Sequence, residues 1–214
     1  MLYAIGEIIL VVIGILIAVS INNWKQSIDL KEVEQNLYGD LIQEFQNDLG
    51  EVQGKLDYNS RYLLRYNRAS EIILNDPHRQ LLDTLAIIAS ELANFSDFNK
   101  EESAYNKLAT SGKLELITNK AILTRMQNLG VLYNYINRLE NNHQQILFFT
   151  IVPKITKYLR IKPFLVMMPE QLYDYKFHND IELMIKIGLE KDGLYKQAKN
   201  DLSGLINLLK EELN

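Results

Sequence analysis

The sequence predicts an all-α fold, with an N-terminal transmembrane helix followed by an antiparallel bundle of long helices. Three observations carry that prediction. Residues 2–24, LYAIGEIILVVIGILIAVSINNW, are apolar almost throughout and hold one charge, Glu7. From Leu30 to Ile73, apolar residues recur at steps of three and four, the period that lines one face of a helix. The 214 residues include only 4 prolines and 10 glycines, so helix breakers are rare.

The apolar run is long enough to cross a bilayer as one helix, since ~20 residues at ~1.5 Å rise span the hydrocarbon core. A retained anchor fits it better than a cleaved secretory signal. No basic start precedes the run, and Ser20-Ile21-Asn22-Asn23 is a poor small-x-small cleavage site. Trp24 closes the run where an amphipathic indole suits a membrane interface. Lys25 and Lys31 follow it, and taken alone they favour a cytoplasmic C-terminal part. Glu7, Gly14 and Ala18 share a stripe with Ala4, Val11 and Asn22. Gly14 and Ala18 form a small-xxx-small pair that lets a second helix approach. A carboxylate such as Glu7 inside a span faces protein or water. The alternative is that Glu7 lies among the headgroups.

Beyond the anchor, residues 27–214 form one extramembrane domain. Asp29 and Glu32 resemble a capping box that starts a helix. Leu30, Val33, Leu37, Leu41, Phe45, Leu49, Val52, Leu56, Leu63, Tyr66 and Ile73 give it an apolar face. A bundle helix accounts for this face better than a parallel coiled coil, because the steps do not alternate strictly. Asp76-Pro77 reads as a break, with Asp as N-cap and Pro at the first position of a second helix to about Ala93. Phe95 to Glu102 reads as a loop. Ser103 begins a short helix that Gly112 can end in a left-handed conformation. Leu114 to Ile117 is too short to assign. Thr118 or Asn119 caps a helix carrying Ile122, Met126, Leu129, Leu132, Tyr133, Ile136 and Leu139, with a kink or stop near Pro153. Pro163 and Pro169 bound an apolar patch, Phe164–Met168, and Asp180 can cap a last helix to about Leu213.

The segments YAIGEIILVVIGILIA, INNW and Tyr105 to Ile117 (YNKLATSGKLELI) resemble an uncharacterised family of small Bacteroidota membrane proteins, domain of unknown function 6090. That resemblance implies a single-pass protein of the inner (cytoplasmic) membrane with its C-terminal domain in the periplasm. Members of that family carry a basic stretch before the span, and no Lys or Arg precedes Leu2 here. The family has no established activity, so the resemblance supplies no catalytic residues.

Composition narrows the function classes. A net charge of −4 argues against non-specific nucleic-acid binding. Without cysteine there is no thiolate catalysis and no cysteine-ligated metal. Glu140-Asn-Asn-His143 has the Glu-x-x-His spacing of a carboxylate-bridged metal bundle, but a second copy is missing and a solvated polar turn is the simpler reading. No G-x-S-x-G, H-E-x-x-H or phosphate-binding loop occurs. Glu101-Glu102 read as ordinary solvated charge. No catalytic residue, cofactor or metal set is expected. Tyr58, Tyr62 and Tyr66 lie four apart beside Arg61 and Arg65. They could form a partner surface or the amphipathic edge of the core. The Phe164–Met168 patch could contact a ligand or membrane or simply fill the core. The sequence thus implies a non-enzymatic accessory, scaffold or interaction subunit. Its partners would be the lipid bilayer and, through the anchor, a second copy or another membrane protein. The alternative is a ligand-sensing periplasmic bundle acting through a partner.

Overall fold

The computed structural model describes every residue except Met1, Asn99 and Glu101; side chains of residues 2–9 and of Val11 also lie outside the description. Among the described residues the fold is all-α apart from one two-stranded hairpin.

Helix α1 runs without interruption over Leu2–Asn75. The expected boundary between anchor and domain is therefore not a break in the backbone. Asp29 and Glu32 lie in mid-helix and do not act as a capping box, because the preceding turns supply the backbone acceptors a cap would replace. Among the described residues, no helix is long and apolar enough to cross a membrane. The described side chains of the apolar run start at Leu10, and from Leu10 to Val33 they are all exposed.

Packing begins at Glu34. Tyr38, Leu41, Phe45, Asp48, Val52, Leu56, Asn59, Tyr66 and Ala69 are buried, so the true seam steps by three and four and includes polar members. Leu30 and Val33, read as part of that face, lie beyond the body and stay exposed.

Helix α4 (Lys120–Ile146) runs parallel to α1, and α7 (Tyr175–Glu212) runs antiparallel to both. Contacts fix this arrangement at three heights. The Asn119 amide donates to Glu212 at 2.5 Å toward the N-terminal end of α1. Asn59 donates to the Gly188 carbonyl at 2.8 Å in the middle. Ser70 meets His178 at 2.9 Å at the far end. A Cβ on Gly188 would sit 2.7 Å from Leu63, so α1 and α7 approach closely because that residue has no side chain.

The return path from α1 to α4 is a strap rather than a fourth long helix. It comprises α2 (Leu82–Glu91), an extended segment, α3 (Ala104–Thr110) and a 3₁₀ turn at Lys113–Leu116. Its contacts descend α1 in order. Glu91 pairs with Arg65, Lys100 with Asp48 at 2.5 Å, Lys107 with Glu44 at 2.8 Å, and the Thr118 N–H with Glu34 at 2.7 Å. Ser103 caps α3 by accepting from the Asn106 N–H, and Gly112 takes φ +71°, as the sequence predicts. Asn119 caps α4 by accepting from the Ala121 and Ile122 N–H groups. The second helix starts later than expected. The Asp76 carboxylate instead accepts from the Gln80 and Leu81 N–H groups, which closes a turn before Leu82.

Near Pro153, α4 passes through a wide turn at Leu147–Ile151 into α5 (Val152–Tyr158). The wider turn accommodates the missing proline N–H. Strands β1 (Leu159–Arg160) and β2 (Leu165–Val166) then form a short antiparallel hairpin, followed by α6 (Pro169–Leu172). The last helix begins at Tyr175 with Asp174 as its cap, not at Asp180, which is buried and holds Lys154 at 2.6 Å.

Candidate functional site

Two apolar clusters fill the bundle. One lies toward the N-terminal end of α1 around Phe45, Val52, Phe98, Met126 and Leu202. The other lies toward the far end around Ile72, Leu85, Leu92, Ile151 and Ile181. Between them is a buried polar waist built from α1, the strap, α4 and α7. Asn59 comes from α1, Ser96 from the strap, Glu140 and His143 from α4, and Lys191 and Tyr195 from α7.

Lys191 and Glu140 are its centre. The Lys191 ammonium lies 2.6 Å from the Glu140 carboxylate, with side chains 2% and 3% exposed. The ammonium also donates to the Ser96 carbonyl at 3.1 Å and meets His143 Nδ1 at 3.2 Å. The Tyr195 hydroxyl donates to the other Glu140 oxygen and lies 3.0 Å from the Ser96 hydroxyl. The spacing explains why α4 contributes two groups: Glu140 and His143 are three apart, so one helical turn brings both to the same ammonium.

Burial dominates the electrostatics. It pushes the Glu140 carboxyl above the usual carboxylate range, against the pull of Lys191. Burial pushes the Lys191 amine down, against the pull of Glu140. His143 is lowered to about 3, first by burial and then by the adjacent ammonium, so it is a neutral ring that accepts at Nδ1. Burial also raises the Tyr195 hydroxyl, and Glu140 raises it further.

This geometry revises the solvated-turn reading of Glu140 and His143, which are 3% and 6% exposed. The carboxylate is taken by Lys191 and Tyr195, and among the described residues no three His, Asp or Glu side chains are grouped to hold an ion. A second polar pair ties the strap down nearby: buried Asp48 accepts from Lys100 at 2.5 Å and from the Tyr133 hydroxyl at 2.9 Å.

A cleft opens beside the waist, lined in part by Tyr58, Tyr62, Tyr66, Asn94, His143 and Lys191. The space in it open to a water molecule's centre is about 10 Å³, room for one water. Tyr66 is buried and its hydroxyl points at the Glu91 and Asn94 carbonyls. Tyr58 and Tyr62 are half-buried, with rings 4.6 Å apart. The three tyrosines thus wall this cleft.

Ser70, His178 and Glu182 also cluster. Glu182, however, contacts the Ser70 hydroxyl and the same His178 nitrogen, Nε2, that faces that hydroxyl. A nucleophilic triad needs the carboxylate on the opposite ring nitrogen, to orient the base. Of the expected helix-packing residues near the N-terminus, Gly14 has no neighbour within 4 Å of its Cβ position and Ala18 is exposed, while the Glu7 side chain lies outside the described residues. Glu101 lies outside them too, and Glu102 is exposed.

Residues 7–146 match the sequence profile of a family of unknown function, DUF6090. The chain belongs to that family. The DUF6090 match takes in Asp48, Ser96, Glu140 and His143, whereas Lys191 and Tyr195 lie beyond it. No curated protein and no solved structure matches the chain. The polar waist was not found from sequence because Lys191 reads as an ordinary exposed helix lysine. The one available signal was Glu140-x-x-His143, whose chemistry is different from the one that spacing suggests.

Proposed function

We propose that this DUF6090 protein is a non-enzymatic, membrane-anchored scaffold or interaction subunit. It is held by residues 2–24 in the inner membrane, with the bundle on the periplasmic side. The observation that carries this reading is the naked start of α1. Leu10, Val12, Ile13, Ile15, Leu16 and Ile17 are each 47–74% exposed, on every side of the helix, and nothing in the body reaches them. An apolar sleeve of this kind is stable only when covered, and lipid with a second helix at the Gly14–Ala18 face supplies the cover. The waist supports a structural role: its charges neutralise one another, and its cleft has room for about one water. That last point also weighs against a ligand held at the waist itself.

The test uses the full chain. It should stay with membranes through an alkaline carbonate wash and, in mild detergent, show a mass above that of the monomer that Gly14→Leu reduces. Release into the wash would overturn the anchor. A wild-type monomer with the same mass as Gly14→Leu would remove the second helix from the seam.

A further inference from the structure

The far end of the bundle carries a second exposed apolar feature, of a different kind from the anchor. The β1–β2 hairpin is held at its base, where the Tyr158 carbonyl accepts from the Met167 N–H at 2.8 Å and Leu159 pairs with Val166. Ile161 and Phe164 at its tip, Leu165 on its second strand and Met167 just after that strand are 42–60% exposed. The segment around it, residues 153–168 (PKITKYLRIKPFLVMM), holds four basic residues and no acidic one in a chain of net charge −4.

Lys154 is engaged by Asp180. Lys157, Arg160 and Lys162 are exposed and, among the described residues, make no ion pair. The acids on the following segment are committed: Glu170 to Arg79, and Asp174 to the Lys176 N–H as a helix cap. An aromatic and aliphatic tip ringed by unpaired cations has the composition of a surface that enters the headgroup region of an anionic membrane.

Its position shows which membrane. Tyr173 bonds Asp76 and Arg79 pairs with Glu170, so the hairpin sits at the C-terminal end of α1. Packed α1 extends from Glu34 to Asn75, about 60 Å at ~1.5 Å per residue. We propose that the hairpin tip binds the surface of an anionic bilayer other than the one the anchor enters, so that the chain bridges two lipid surfaces. The proposal builds on the anchored reading above but is tested separately from it.

The full chain is placed through its anchor in phosphatidylcholine nanodiscs. These are mixed with labelled vesicles of phosphatidylcholine alone or of phosphatidylcholine with phosphatidylglycerol. Capture of the anionic vesicles only, weakening as salt is raised, is expected. Each basic residue near an anionic surface contributes roughly a five-fold factor. Lys157→Glu/Arg160→Glu/Lys162→Glu should therefore lower capture by about a hundredfold or more. Phe164→Ser/Met167→Ser should abolish stable capture, with an unchanged circular-dichroism melt showing the bundle intact. No capture of anionic vesicles, or equal capture of neutral ones, overturns the proposal. Binding of soluble glycerophosphate with no vesicle capture overturns it too, since that marks a headgroup site instead of a surface. Failure to enter nanodiscs speaks only against the anchor, and flotation of the amphipol-held full chain with the same two vesicle types then decides the tip.

Discussion

Lys191→Met tests whether the waist behaves as a buried ion pair. In the wild type the ammonium and the Glu140 carboxylate are 2% and 3% exposed and 2.6 Å apart. Removing the ammonium leaves Glu140 with the Tyr195 and Ser96 hydroxyls as partners and no countercharge. Breaking one half of such a pair costs about 3–5 kcal/mol. An independent bound comes from protonation. Glu140 starts from an ordinary value of 4.5, and a neutral carboxyl is available at pH 7 for about 3.4 kcal/mol, at ~1.36 kcal/mol per pH unit. The expected loss at pH 7 is therefore about 3 kcal/mol. In a body of this size that lowers Tm by roughly 6–12 °C. The pH dependence has a definite sign. In the variant, the folded carboxyl titrates above the unfolded one, so the folded state holds a proton that the unfolded state has lost. The deficit then grows as pH rises above 4.5 and shrinks to roughly 1 kcal/mol near pH 5. The assay is urea unfolding of the detergent-held chain by circular dichroism, at pH 5 and pH 7. Glu140→Gln/Lys191→Met should recover most of the loss, because no buried charge remains. A Lys191→Met deficit below about 1 kcal/mol at both pH values would refute burial of the pair.

His143 gives a second pH signature. Its folded pKa, about 3, lies below the ordinary 6.5, so between those values the unfolded chain binds more protons and stability falls as pH falls. Relative to His143→Asn, the wild type should lose about 2 kcal/mol between pH 6.5 and pH 5, read from parallel urea titrations. Two glycines on α7 should respond with opposite signs. Gly188→Ala drives a Cβ to 2.7 Å from Leu63 and should cost about 1–3 kcal/mol. Gly193→Ala meets nothing within 4 Å and should stabilise by about 0.5–1 kcal/mol, both measured by thermal melts.

What the sequence disclosed follows from the range of the interactions involved. Caps are local: Ser103, Gly112 and Asn119 act on groups within a few residues, and each was readable. The kink near Pro153 was readable for the same reason. The uninterrupted α1 was not, because Asp29 and Glu32 form a start signal only if the chain arrives non-helical, and the apolar run before them is itself helical. The extended part of the strap, between its two short helices, was invisible as a packed element, since an extended segment has no helical period to betray its buried side. Phe98 nevertheless lies fully buried on it, 5.2 Å from the Tyr133 ring. The waist joins residues on four elements, with Ser96 and Lys191 far apart in sequence, and no local pattern encodes that meeting. The Phe164–Met168 patch was placed correctly between its prolines, but core filling proved the wrong reading for most of it, since only Val166 and Met168 are partly buried.

The continuity of α1 also fixes which side of the proposed anchor would be free to meet a second copy. A helix turns ~100° per residue, so Ala18 lies about 200° around the axis from Tyr38 and about 180° from Phe45. Tyr38 and Phe45 face the body. The Gly14–Ala18 face therefore points away from α4 and α7, and another anchor can approach it without the two bodies colliding. Asn36, 18 residues after Ala18, returns to that outward azimuth, whereas Lys31 falls about 220° away. Both are exposed, and the chain has no cysteine of its own. Single-cysteine variants in membranes should thus cross-link between copies at Asn36→Cys under mild oxidation and should not at Lys31→Cys. The reverse order would mean that the seam lies on the body's side of the helix. The small-residue pair would then be an accident of composition, and the exposed apolar sleeve would be covered by lipid alone.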